Sequence, residues 1–106
     1  MPRIPHEHYL QVKERHPKVI AAVETLRAEA QVAGPLNEKT VHLIQLAASA
    51  AIRSHGSTHS HTIRALEAGA TPEEIHHAVI SLTSTIGFPT VAAALSWVDD
   101  VIERGY

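Results

Sequence analysis

The stretch SHGSTHSHTIRALEAGATPEEI, residues 54–75, decides how this chain folds. Its second half is helix punctuation. Gly69 reads as a helix stop, because glycine takes the left-handed conformation that ends helices at little cost. Thr71-Pro72-Glu73-Glu74 then reads as a helix start, with Thr71 as cap, Pro72 at the first helical position and Glu74 completing a capping box. The first half, SHGSTHSH, packs three histidines and three serines into eight residues where a helix begins. Histidines and hydroxyls at that density need a structural or chemical reason.

Working outward, the same punctuation recurs. Asn37 looks like an N-cap with Glu38 in the first turn, which predicts a helix over about 38–53. Gly34-Pro35 ends the helix before it. That helix opens at Pro17 and carries Val19, Val23, Leu26 and Ala30 at helical spacing, a stripe expected to face the core. A short helix over 7–15 precedes it, after an MPRIP arm expected to fray. Beyond Thr71, Ile75, Val79, Leu82 and Ile86 form the stripe of one helix, and Gly87-Phe88-Pro89 breaks it. Val91, Leu95, Val98 and Ile102 mark a last one. No stretch alternates with the period of a strand. The expected fold is all-α: a small bundle of about five to six helices in a single domain, residues 1–106.

Composition sets limits on function. The aromatics are Phe88, Trp97, Tyr9 and Tyr106, so the core is built from Ala, Val, Ile and Leu and is thin. A helical monomer of this size is expected to complete its core against another copy. The net charge of −2 gives no basic footprint for nucleic acid or an anionic membrane. No apolar run is long enough to span a bilayer and no signal peptide opens the chain, so the expected location is the cytoplasm. Cysteine is absent, which excludes disulfides, thiolate metal sites and thiol catalysis together. Of the nine histidines, His6, His8, His16, His76 and His77 read as scattered surface residues.

The remaining four gather near one place. The 38–53 helix is apolar almost all round and is expected to be buried on most sides. Its exceptions, His42, Gln45, Ser49 and Arg53, fall within a sector of roughly 80° at 100° per residue. A polar stripe on a buried helix needs partners or a cavity. On the next helix His59 lies between Ile63 and Leu66, facing the core. Ser57 and His61, four apart, share another face, which Ser54 joins if the helix reaches back that far. A helix N-terminus there favours a bound anion and a neutral imidazole. His55 and His59 stand at i and i+4, a spacing that can chelate a metal. A Ser57–His61 nucleophile pair is formally available, but no carboxylate that would orient the imidazole is evident.

The runs LNEKTVHLIQLAASAA and SHGSTHSHTIRALEAGATPEEIHHAVISLTSTIGFPTVAAAL resemble the carboxymuconolactone decarboxylase and alkylhydroperoxidase-D-like family over about residues 34–103. The resemblance implies a small helical protein that assembles as a trimer or hexamer, with sites near subunit contacts. The peroxidase branch carries Cys-x-x-Cys-x-x-x-His with a Glu twelve residues before the first Cys. Position by position, those cysteines fall on Ser54 and Ser57, the histidine on His61 and the glutamate on His42. The histidine is kept, while both thiols and the carboxylate are lost. A hydroxyl cannot be oxidised to a disulfide, so thiol peroxidase chemistry is unavailable.

The wheel and the resemblance select the same place. The expectation is a protein that binds, or acts on, a small carboxylated or carbonyl compound by acid–base chemistry. His61, His42 and Ser57 are the candidate catalytic residues, and Ser54, Arg53, Gln45 and Ser49 would hold the ligand. No cofactor is implied. The alternatives are a transition metal held by His42, His61, His59 and His55, and an oligomeric scaffold without chemistry.

Overall fold

The structure, a computed structural model, describes residues 4–105; Met1–Arg3 and Tyr106 lie outside the described residues, as do the side chains of residues 4–7, His6 among them. Those residues form six helices of nine or more residues and one single turn, with no strand among them. In chain order they are α1 (Ile4–Arg15), α2 (Pro17–Gln31), α3 (Glu38–Ala51), α4 (His55–Glu67), α5 (Pro72–Ile80), α6 (Thr83–Ile86) and α7 (Phe88–Arg104). The all-α expectation holds. The helix expected from residue 7 begins earlier, at Ile4, with Pro5 in its first turn, where proline forfeits no intrahelical bond.

The caps form as their residue types dictate. The Asn37 side chain accepts from the Thr40 N–H at 2.8 Å. The Thr71 hydroxyl accepts from the Glu74 N–H at 3.1 Å, and Glu74 Oε1 accepts from the Thr71 N–H at 2.9 Å, completing the capping box. Lys39 reaches the same carboxylate at 3.0 Å and ties α3 to α5. The Thr71 N–H first, and Lys39 after it, hold the Glu74 carboxyl below its ordinary range. Gly69, at φ +98°, ends α4, with the Ala70 N–H donating back to the Ala65 carbonyl at 2.9 Å.

The core lies where α3, α4, α5 and α7 meet. Leu46, Ile75, Val79, Val91 and Val98 are fully buried there, and alanines fill much of the rest. Leu82 and Ile86 pack on this core as expected, but α5 stops at Ile80 and they belong to the turn that follows. Hydroxyls explain the break: Ser81 donates to the Ala78 carbonyl at 2.8 Å and Thr83 to the Ile80 carbonyl at 2.7 Å, competing for acceptors at the helix end.

One expectation about burial is corrected. Val19, Val23, Leu26 and Ala30 are all exposed, and Ile20 alone on α2 is buried. Most sides of α3 are covered as expected: Leu46 and Ala50 enter the core, and beyond Glu38 the exposed residues Ile44, Ala48 and Ala51 share one narrow face, with Ile44 52% exposed. Helical periodicity reports that a face is apolar; it does not say whether the covering surface comes from the same chain. The molecule is correspondingly flat, 39 × 36 × 23 Å, two helix layers deep.

Candidate functional site

Ser54 settles where α4 begins. It is the N-cap, accepting from the Ser57 N–H at 3.3 Å, and the helix runs from His55 through Gly56. Its side chain is therefore occupied by the helix start. The connection from α3 is unusually tight: Arg53 sits at φ +57° and the Ser54 N–H donates to the Ser49 carbonyl at 3.0 Å. Glycine normally takes that left-handed position, and an arginine there stores about 1 kcal/mol of strain. The turn draws Ser49 on α3 against Ser57 on α4, hydroxyl to hydroxyl at 2.7 Å. Because Ser49 already donates its proton to the Gln45 carbonyl at 2.9 Å, Ser57 is the donor between them.

The same turn carries Arg53 away from the polar stripe of α3. Its guanidinium donates to Thr90 Oγ1 at 2.8 Å, at the start of α7. The other members of that stripe stay inside. His42 and Ser49 are buried, and Gln45 Oε1 is buried without a hydrogen-bond partner among the described residues.

His42 and His61 face each other across α3 and α4, with ring centroids 6.4 Å apart. The Nδ1 atoms of both are buried and have no hydrogen-bond partner among the described residues. Burial, then the charges of Arg64, His42 and Arg27, lower the His61 pKa from 6.5 to about 4, so the ring is neutral near pH 7.

In front of His61 lies a cavity of about 510 Å³, of a size that takes a small metabolite. Its walls come from three helices: His8 and Tyr9 from α1, Glu24 and Arg27 from α2, and Ser57, His59, His61 and Arg64 from α4. The Tyr9 hydroxyl donates to the Glu24 carboxylate, which holds that carboxyl below its usual range and raises the tyrosine. Burial and the neighbouring charge of Arg27 lower Arg64. Two guanidiniums and one carboxylate, already engaged by Tyr9, leave the cavity positively biased.

Of the catalytic and ligand-holding residues singled out from sequence, Ser57 and His61 line this cavity, while His42, Gln45, Ser49, Arg53 and Ser54 are not part of its wall, and most of the wall was missed. Arg64 was within reach, since it stands three residues past His61 on the same face of α4. Nothing local distinguished Tyr9, Glu24 or Arg27. Among the histidines read as scattered, His8 lines the cavity and His76 bonds Asp99 at 2.7 Å, while His16 and His77 are exposed. The four histidines grouped as a metal set divide into pairs. His42 and His61 have no third ligand among the described residues, whereas His55 and His59 converge with Asp100.

A sequence profile of the carboxymuconolactone decarboxylase family matches residues 17–100, from the start of α2 to Asp100 on α7. The chain belongs to this family. The match extends further toward the N-terminus than the stretch from residue 34, and takes in α2 with its cavity residues. The chain also shares its fold with the crystal structure of TM1620 from Thermotoga maritima, which superposes with a TM-score of 0.71 at 24% identity, covering 93% of this chain and 90% of that one. Among curated proteins, none matches the chain. Among the described residues, no helix is long and apolar enough to cross a membrane.

Proposed function

We propose that the protein binds a small carboxylate, or a carbonyl compound bearing one, in the cavity before His61, and acts on it by imidazole acid–base chemistry. The observation that carries this reading is the pairing of His42 and His61, each with a buried, unpartnered Nδ1, behind a cavity that also holds Arg27 and Arg64. The arginines supply the charge that recognises a carboxylate, with bidentate geometry available to each. A carboxylate seated between them offsets part of the positive field that disfavours imidazolium, so binding helps His61 to take a proton. Ser57 turns its hydroxyl proton toward Ser49 and presents lone pairs to the cavity, which suits a hydrogen-bond acceptor better than a nucleophile. Serine-nucleophile chemistry also lacks an orienting group among the described residues, where His61 Nδ1 meets none.

Calorimetric titration of the untagged protein with small mono- and dicarboxylates, keto acids and lactone acids tests the reading. Saturable, one-site binding by a carboxylate and none by its amide is the expected result. Silence across the whole set, or equal binding of acid and amide, removes the proposal. Because the chain has no cysteine, the protein is further expected to give no thiol-dependent hydroperoxide turnover.

We also infer that the working unit is a homo-oligomer, trimeric or hexameric. Val19, Val23 and Leu26 on α2 and Ile44 on α3 are exposed apolar residues on a protein with a small core. Gel filtration with light scattering is expected to return a multiple of the 11.5 kDa chain. Leu26→Asp, at a position 68% exposed, is expected to shift the protein to monomer without loss of helix. A monomeric wild type excludes the assembly.

A further inference from the structure

A second cluster of chemistry lies at the junction of α4 and α7. His55 and His59 stand one turn apart on α4, with their Nε2 atoms 3.2 Å from each other. Asp100 on α7 places Oδ2 3.4 Å from the same His59 Nε2, and all three ligand atoms lie within 4.8 Å of one another. We propose that His55, His59 and Asp100 form a binding site for a divalent transition-metal ion of the zinc class, separate from the His42–His61 pair.

Three observations support the assignment. The first is distance. Zinc–nitrogen and zinc–oxygen bonds of about 2.0–2.2 Å in a tetrahedron set neighbouring ligands ~3.4 Å apart, close to the two separations found. The second is proton accounting. His59 Nε2 faces both a second imidazole nitrogen and a carboxylate oxygen. If Nε2 carries a proton, it can point well at only one of them. Without the proton, its lone pair faces a carboxylate that also has none to give. A cation at the centre satisfies all three lone pairs together.

The third is support around the ligands. The Trp97 ring stacks on His55, with centroids 4.9 Å apart and planes 19° from parallel, fixing the direction of an otherwise exposed imidazole. Arg104 approaches the other carboxylate oxygen of Asp100, Oδ1, at 3.9 Å, so Oδ2 is the oxygen turned toward the histidines. Such outer contacts orient ligands in metal sites. Two histidines and one carboxylate leave at least one coordination position open, the pattern of zinc and non-haem iron sites that keep an exchangeable ligand. An ion there also clips the first turn of α4 to α7.

The test uses the full, untagged chain, stripped with a chelator and dialysed. Zn²⁺ is titrated calorimetrically, and Co²⁺ is added in parallel as a spectroscopic probe. One equivalent of zinc per chain is expected, with visible d–d absorption from cobalt in a low-coordinate site. His55→Ala and Asp100→Asn are each expected to weaken binding at least tenfold and bleach the cobalt bands, whereas His76→Ala leaves both unchanged. Circular dichroism checks the fold of each variant, and Asp100→Asn carries the test should His55→Ala unfold.

Several weak equivalents that fall away piecemeal with the exposed histidines overturn the site. So does zinc bound equally by Asp100→Asn, or binding lost only in His42→Ala or His61→Ala. His59 also lines the cavity, so the carboxylate titrations are made on the metal-free protein, where they report on the cavity alone and failure of either proposal leaves the other measurable.

Discussion

Leu46→Ala is expected to destabilise the protein by about 3–5 kcal/mol, the range for truncating a fully buried leucine in a packed core. Leu46 has no exposed surface and sits in the cluster joining α3, α4, α5 and α7. Four of the nine residues in that cluster are alanines, so few large side chains surround the hole and little can collapse into it. Domains of this class hold about 5–15 kcal/mol in total, so this one change removes a large share. At roughly 4–8 °C per kcal/mol for a chain of about this length, the midpoint of thermal unfolding should drop by about 12 °C or more. Leu36→Ala is the control: the same deletion at a residue 53% exposed should stay within about 0.5 kcal/mol. Equal losses at the two positions would contradict the core described here.

The second large effect concerns the cavity. Arg64→Met keeps most of the buried stem while removing the charge, and it should weaken carboxylate binding by about 10- to 150-fold, the equivalent of a charged hydrogen bond worth 1.5–3 kcal/mol. A second readout separates recognition from general damage. Arg64 is the largest of the charges that lower His61, after burial itself. Its removal should move the His61 titration upward from about 4 in an NMR experiment on the free protein, toward but not reaching the ordinary 6.5. A variant that loses binding while His61 titrates unchanged would place Arg64 outside the cavity's electrostatics.

These two sites differ in how well the sequence exposed them. Caps and stops were legible because Asn37, Thr71, Glu74 and Gly69 act within a few residues of themselves. The inward face of α4 was legible for a similar reason: His59 shares a face with Ile63, and it is buried as that placement requires. The stripe of α2 was misassigned because amphipathicity cannot say which molecule provides the cover. Arg53 was misplaced because the wheel extends a helix beyond Ala51, where the chain turns through a left-handed residue. Tyr9, Glu24 and Arg27 were missed since a wall assembled from separate helices leaves no local pattern. Asp100 escaped notice likewise; its relation to His55 and His59 exists only once α7 lies across α4.

The α1–α2 hairpin supplies Tyr9, Glu24 and Arg27 to the cavity, yet α2 commits only Ile20 to burial. Under the carboxylate reading, His61 and Arg64 stand on a core helix, whereas the rest of the wall rides on a hairpin with little packing of its own. A substitution on the hairpin's inner face should therefore change which ligand the cavity accepts with less loss of stability than one on α4.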